Sequence, residues 1–260
     1  MMVRTFKTVI CIIILAPIAW LGYLSLGFGG AYYAPAHPLG RLAGWVEFMQ
    51  SGGASALMNS SMLAVGSAFA STALGLVTAV ALIFPGILSP FGRTSVGNFL
   101  VFSRVFPAVV IIPGVMAVLR PFGAVDTLWV LLLLYIPAMG VIPTMVFSVA
   151  LSGITMAEIE LMSVEGWPAS AVYRWAIWPL VQDSVPLAMM LCFCLSWNEF
   201  VLQNAVLDTS GSQTVSIFVA GAIGQFSINY PLMAAGALVS LLPPAVAGAI
   251  IVGKTLSSRS

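Results

Sequence analysis

Charged side chains are scarce in this chain. Aspartate, glutamate, lysine and arginine make up 7% of its 260 residues, whereas 60% of the residues are hydrophobic. Soluble domains carry about 25% charged residues, so the composition argues against a soluble globular protein. The net charge is +1, without the clustered lysine and arginine that nucleic-acid binding requires. We therefore expect a polytopic protein surrounded by the lipid bilayer, with no nucleic acid among its partners.

Cysteine and histidine are also rare. The three cysteines, Cys11, Cys192 and Cys194, all stand in apolar runs, which fits neither a disulfide framework nor a metal site. We expect them to be small core residues. The lone histidine, His37, falls in a predicted external loop and is expected to have no special role. Paired catalytic groups are missing as well, so we predict no catalytic residue, no metal, no cofactor and no enzyme activity of the chain itself.

One segment of the sequence matches a nucleotide-binding pattern. Residues Gly248–Thr255 fit the P-loop pattern G-x-x-x-x-G-K-[ST]. A working P-loop stands between a strand and a helix, where backbone amides surround the phosphates. Here the glycines fall at the end of an apolar run, so we interpret the match as fortuitous and Lys254 as an anchor at the membrane surface. Any ATP hydrolysis is expected to occur in another chain.

Long hydrophobic runs dominate the sequence. A helix needs about 20 apolar residues to cross the hydrocarbon layer. Six segments reach this length: 8–28, 59–84, 96–119, 128–150, 182–206 and 228–252. The first, in the N-terminal region 1–28, is too long for the apolar part of a secretory signal and is expected to be an uncleaved helix. The predicted fold is all-α, a single transmembrane domain over residues 1–260 with six membrane-spanning helices.

The basic residues predict the orientation of these helices. An even number of spans places both termini on the same side, and lysine and arginine concentrate on the cytoplasmic side. With both termini in the cytoplasm, the cytoplasmic residues are Arg4, Lys7, Arg93, Arg174, Lys254 and Arg259, and the external ones are Arg41 and Arg120. Both termini are therefore predicted to be cytoplasmic.

The polar segment 151–181, between the fourth and fifth predicted spans, contains a short predicted helix over 154–166. Thr155 and Glu158 have the T-x-x-E spacing of a capping box, and Gly166 suits the position just after a helix end. Four apolar residues share one arc of the helical wheel, and glutamates flank that arc. The four are Ile154, Ala157, Leu161 and Val164, and the glutamates are Glu158, Glu160 and Glu165.

An apolar ridge with acidic margins suits a groove on a partner protein. The alternative is a helix resting on the membrane surface. Docking is favoured, because helices that bind anionic lipid have basic margins.

This segment resembles the EAA loop of permease subunits of binding-protein-dependent ABC importers. Glu160-Leu161-Met162, then Gly166 and Pro179, follow the pattern E-A-A, three residues, G, nine residues, I-x-L-P. Leu161 and Met162 replace the two alanines, and Trp178 replaces the leucine before the proline. Further likeness to the carbohydrate permeases of the maltose class lies in Ser196–Phe200, in Gln213–Val215 and in Pro231–Ala235. The resemblance covers residues 55–252, with 151–181 as the coupling loop.

The resemblance implies a partner set and a set of coupling residues. The partners are a cytoplasmic ABC ATPase dimer, a second transmembrane permease subunit and an extracytoplasmic solute-binding protein, in the bacterial cytoplasmic membrane. The coupling residues are Glu160, Leu161, Met162, Glu165, Gly166 and Pro179. The implied solute is a sugar, a sugar-like compound or a polyol. A polyamine-type permease stays open, and an ion-coupled secondary transporter is the alternative from another class.

Polar residues at membrane depth are candidates for the translocation pathway. We expect Asn198 and Glu199 either to line a solvated cavity or to form hydrogen bonds between helices. The solvated cavity is the favoured alternative. Arg104 pairs with an acid or extends toward the cytoplasm. Small residues recur every four positions on the second predicted span, at Ser67, Ser71 and Gly75. Such a stripe packs within the chain or against a second membrane subunit.

Overall fold

The computed structural model describes residues 2–28, 42–83, 89–105, 108–207, 209, 211–224 and 228–257. These residues are helical without any strand, and a single bridge pairs Ile223 with Ile228. The helices are α1 (Met2–Ser25), α2 (Ala43–Gln50), α3 (Gly53–Ile83), α4 (Pro90–Val105), α5 (Ala108–Leu119), α6 (Leu128–Ala150), α7 (Met156–Val164), α8 (Ala169–Asn198), α9 (Val201–Val206), α10 (Val215–Gly221) and α11 (Tyr230–Ser257). The all-α prediction is confirmed.

Among the described residues, four helical stretches are long and apolar enough to cross a membrane. They are Gly53–Ile83, Leu128–Gly153, Ala169–Asn198 and Tyr230–Ile251. The predicted first span, 8–28, corresponds to a shorter apolar stretch, Val9–Ser25. The predicted third span, 96–119, includes the last part of α4 and all of α5, and residues 106–107 between them lie outside the described residues. The count of six spans and the cytoplasmic termini therefore stay predictions.

The fifth span differs from its predicted bounds of 182–206. Its helix, α8, begins at Ala169 and ends at Asn198, and α9 follows after a two-residue break. Proline lacks the amide that a regular helix needs, so Pro179 favours an end of the helix on sequence grounds. In the structure a π-helical turn at Tyr173–Ile177 and a 3₁₀ turn at Gln182–Ser184 lie on either side of Pro179. These changes of hydrogen-bond register accommodate the proline within one helix.

Residues 1–60 and 208–246 form one compact unit. Phe48 of α2 is buried and meets Phe218 of α10 edge to face, with ring centroids 5.3 Å apart. The Glu47 carboxylate accepts hydrogen bonds from the Asn229 amide at 2.9 Å from each oxygen. The Asn229 side chain also accepts a bond from the Leu232 amide at 3.1 Å, so it satisfies a free donor at the start of α11.

Residues 61–207 and 247–260 form the second unit. A buried cluster joins α3, α6 and α8 through Ala79, Phe147, Leu151, Ile177, Val181 and Ala188. The small-residue stripe lies at the same side of α3: Ser67 and Ser71 are buried, and a Cβ at Gly75 would meet the Pro143 side chain and lie 2.8 Å from the Thr144 amide nitrogen. The stripe therefore packs within the chain, against α6.

The cysteines differ from one another in their surroundings. Pro143 leaves the Met139 carbonyl without its helical donor, and the buried Cys192 thiol lies 3.7 Å from that oxygen. Cys194 is partly buried. Cys11 is exposed on α1, so the prediction of three core cysteines is wrong for this one: its side of α1 has no protein packed on it among the described residues.

The P-loop pattern lies inside a regular helix. Gly248, Gly253 and Thr255 all belong to α11, which continues to Ser257. A helix uses its amides for its own hydrogen bonds and offers no loop for phosphates. His37 lies outside the described residues.

Candidate functional site

The N-terminus of α7 is fixed by a reciprocal pair of hydrogen bonds. The Thr155 hydroxyl accepts a bond from the Glu158 amide at 3.3 Å, and the Glu158 carboxylate accepts one from the Thr155 amide at 2.7 Å. The Thr155 hydroxyl also donates to the same carboxylate at 2.8 Å. These bonds form a capping box, which satisfies two amides at the helix start. The two bonds that the Glu158 carboxylate accepts, from the Thr155 amide and hydroxyl, lower the pKa of Glu158 because they favour its ionised form.

The C-terminus of α7 is determined by a glycine. Gly166 has φ +82°, in the left-handed region that other residues rarely occupy. Its amide donates to the Ser163 carbonyl at 3.1 Å, and the Trp167 amide donates to the Met162 carbonyl at 3.0 Å. This pair of bonds is a Schellman motif, which ends the helix and satisfies its last carbonyls. A Cβ at Gly166 would meet no atom within 4 Å, so the requirement for glycine comes from the backbone and not from crowding.

The two sides of α7 have opposite environments. Ile159 is 2% exposed and attaches the helix to the protein, whereas Leu161 is 59% exposed and Val164 is 85% exposed. At about 100° per residue, Leu161 and Val164 lie roughly 160° and 140° around the helix from Ile159. The predicted apolar ridge thus points away from the protein, with Ala157 also exposed and Ile154 partly buried.

Sequence reasoning missed Ile159. It is an apolar residue off the predicted arc, between Glu158 and Glu160, and that position was the available signal. Its burial explains how the short helix is held in place while its ridge stays exposed. Glu160 and Glu165 are exposed, so the acidic margins are also accessible.

The predicted coupling and pathway residues lie on or directly after three helices, α7, α8 and α4. Glu160, Leu161, Met162, Glu165 and Gly166 lie on or directly after α7. Pro179 is exposed on α8, and Asn198 and Glu199 stand at the other end of that helix. Arg104 lies in α4, and its side chain is outside the described part of the structure.

The break after α8 is built around the Glu199 carboxylate. It accepts a hydrogen bond from the Tyr135 hydroxyl at 2.6 Å, and from the amides of Leu202 and Gln203 at 2.9 and 3.1 Å. The Gln203 side chain donates to the Ser196 carbonyl at 3.1 Å, across the break. Glu199 therefore joins α6, the end of α8 and the start of α9. Sequence reasoning missed Tyr135, since nothing in the sequence links it to a residue 64 positions later.

Asn198 has a different environment from its neighbour. Its side chain is exposed, and its amide donates to the Cys194 carbonyl one turn earlier at 2.8 Å. Trp197 is buried and stacks on Phe193, with ring centroids 5.6 Å apart. Of the S-W-N-E-F segment, Trp197 and Glu199 thus make internal contacts, and Asn198 presents its side chain at the surface.

Two curated proteins are similar to parts of this chain. The galactooligosaccharides transport system permease protein GanQ of Bacillus subtilis is 26% identical over 125 residues, which are 48% of this chain and 44% of GanQ. The probable starch degradation products transport system permease protein AmyC of Thermoanaerobacterium thermosulfurigenes is 26% identical over 94 residues, which are 36% of this chain and 34% of AmyC. The chain spans less than half the length of these curated relatives. No protein-family model matches it.

These similarities confirm the resemblance to permease subunits of sugar transport systems. Four helices in the described part of the chain are also long and apolar enough to cross a membrane. The chain is therefore a multi-pass protein of the bacterial cytoplasmic membrane.

Proposed function

We propose that this chain is a transmembrane subunit of an ATP-driven importer and forms half of the translocation pathway for a small polar solute. The solute is a sugar, a sugar-like compound or a polyol. The functions named for the two relatives, galactooligosaccharide transport and transport of starch degradation products, support this class over a polyamine. A cytoplasmic ATPase dimer, a second permease subunit and an extracytoplasmic solute-binding protein complete the assembly.

The observation that carries the proposal is the exposed ridge of α7. A short helix with a capping box, a Schellman end and one buried anchor is rigid, yet its apolar residues Leu161 and Val164 face away from the protein. Exposed apolar residues on a fixed helix gain free energy when a partner's groove covers them. The ATPase subunit supplies that groove, and Glu160 and Glu165 on the margins orient the helix within it.

Two polar residues at the end of α8 have separate roles in the proposed pathway. Asn198 offers an exposed amide that forms hydrogen bonds with a hydroxylated solute. Glu199 holds the break that presents Asn198, through its bonds to Tyr135 and α9. Arg104 of α4 is the third proposed pathway residue, assigned on its position in the sequence alone.

Substitution of Gly166 tests the coupling role. Gly166→Val forces a β-branched residue into the left-handed region, at a cost of about 1–2 kcal/mol, and so disrupts the end of α7. Gly166→Asn is the matched control, because asparagine adopts this conformation more readily. We expect the valine variant to insert normally into the membrane. In proteoliposomes of the whole complex, the ATPase subunits should still hydrolyse ATP, with less uptake of labelled maltooligosaccharide or galactooligosaccharide than in the parent complex. Equal coupling in the valine and asparagine variants would contradict the proposal.

A further inference from the structure

An open groove lies on the first part of α8, at its π-helical turn. It has a volume of about 800 Å³ and is lined by Ser170, Tyr173, Arg174, Trp175, Trp178 and Pro179. None of these residues belongs to the ridge of α7 or to the break at Glu199. Pro179 alone among them is one of the predicted coupling residues. Three of the six lining side chains are aromatic and one is a cation, which is an unusual concentration in a chain with so few charges.

The length of α8 places this groove at the membrane surface. The helix has 30 residues and is therefore about 45 Å long, whereas the hydrocarbon layer is about 30 Å thick and needs about 20 residues. A stretch of that length, counted back from Asn198, begins at Pro179. The part from Ala169 to Trp178 then lies in the headgroup layer, where tryptophan and tyrosine concentrate.

The groove carries a positive charge, that of Arg174, and no acidic side chain among the described residues pairs with it. Arg174 is exposed and forms no ion pair there, and its guanidinium lies 5.8 Å from the centre of the Trp175 ring. Trp175 is itself 69% exposed. A guanidinium held against an indole keeps its donors free for a planar pair of acceptor oxygens, which a phosphate diester offers. Ser170 stands one helical turn before Arg174, on the same side, and adds a hydroxyl donor.

We propose that this groove binds the headgroup of an anionic phospholipid from the surrounding bilayer. Arg174 pairs with the lipid phosphate, Ser170 donates a second hydrogen bond, and Trp175 and Trp178 pack against the glycerol and the first methylene groups. Charge complementarity decides for an anionic lipid, because a basic groove in the headgroup layer attracts negative headgroups. The proposal depends on insertion in a membrane and not on the transport function.

The test is a measurement of lipid binding to the purified full chain in detergent. Native mass spectrometry compares phosphatidylglycerol with phosphatidylcholine of identical acyl chains. We expect the chain to retain phosphatidylglycerol preferentially, and Arg174→Gln to weaken this binding about fivefold, the effect of one cation near an anionic surface. Arg120→Gln, which removes another exposed arginine, should leave the affinity unchanged.

A second variant separates the aromatic contribution from the charge. Trp175→Leu keeps an apolar surface but removes the ring beside Arg174, and should weaken phosphatidylglycerol binding about twofold to fivefold. All variants should melt as the parent does in phosphatidylcholine alone. The proposal is wrong if Arg174→Gln has no effect, if Arg120→Gln has the same effect, or if inorganic phosphate displaces the lipid completely.

Discussion

Glu199 shows how a single carboxylate fixes a break in a membrane helix. Its three hydrogen bonds come from Tyr135 on α6 and from two amides at the start of α9. The first amides of a helix have no partner within the helix, so the Glu199 side chain satisfies two of them at the start of α9. The segment that resembles the permeases of the maltose class therefore contains a structural residue, Glu199, next to an exposed one, Asn198.

Substitutions at these positions should separate structure from transport. Glu199→Ala should lower the free energy of unfolding by about 1–3 kcal/mol, and Tyr135→Phe by about 0.5–2 kcal/mol, since each leaves hydrogen-bonding groups without partners. Asn198→Ala should change stability by less than about 0.5 kcal/mol and reduce solute uptake. Thermal unfolding in detergent and uptake by proteoliposomes are the two measurements. A larger destabilisation from Asn198→Ala than from Glu199→Ala would contradict this division.

Glu158 makes the stability of α7 depend on pH. Its pKa is lower in the folded chain than the ordinary value of 4.5, because the Thr155 amide and hydroxyl donate to its carboxylate. The stabilisation is therefore fully present above 4.5 and is lost as the pH falls through the lower folded value. We expect amide exchange at Thr155 and Glu158 to accelerate in that acidic range, after correction for intrinsic rates.

Glu158→Gln provides the control for this pH dependence. Glutamine preserves a capping box but does not titrate. The variant should show the same protection across the whole acidic range, and an acid-induced loss in the variant as well would assign the effect to another group.

At the scale of the element, α7 and α8 differ in how much of each was predictable. The ends of α7 follow from local rules: Thr155 with Glu158 at one end and Gly166 at the other specify a helix close to the observed Met156–Val164. The bounds of α8 do not, because Pro179 is accommodated by altered turns and the break at Glu199 depends on Tyr135, which is distant in sequence. Local rules also do not predict which face of α7 is buried. That face contains Ile159, and its burial depends on contacts with the rest of the protein.

The contact of α3 with α6 gives a prediction for the packing of whole helices. A Cβ at Gly75 would meet Pro143 and the Thr144 backbone, which cannot move without shifting α6. Gly75→Ala should therefore destabilise the protein by about 1–3 kcal/mol. Gly97→Ala in α4 meets no atom within 4 Å and should be neutral or stabilising by up to about 1 kcal/mol. Thermal unfolding of both variants checks this, and equal melting temperatures would contradict close packing at Gly75.

At the scale of the whole molecule, composition and hydropathy predicted the class of protein. The chain has 7% charged residues, and the residues that the structure describes include four helices long and apolar enough to cross a membrane. The number of spans was harder to predict, because an apolar helix such as Val9–Ser25 is close to the minimum length that can cross the hydrocarbon layer. In the proposed function, the chain acts with partner proteins, and the ridge of α7 is the proposed docking surface for one of them.

Copurification of the ATPase subunit tests the central claim most directly. The double variant Leu161→Gln with Val164→Gln removes the exposed apolar ridge of α7, and Ser163→Gln adds the same side chain at an exposed position outside the ridge. Two lost apolar contacts should weaken ATPase binding at least about tenfold, while Ser163→Gln should retain the ATPase like the parent chain. If the double variant copurifies as much ATPase as Ser163→Gln does, the ridge of α7 is not the docking element.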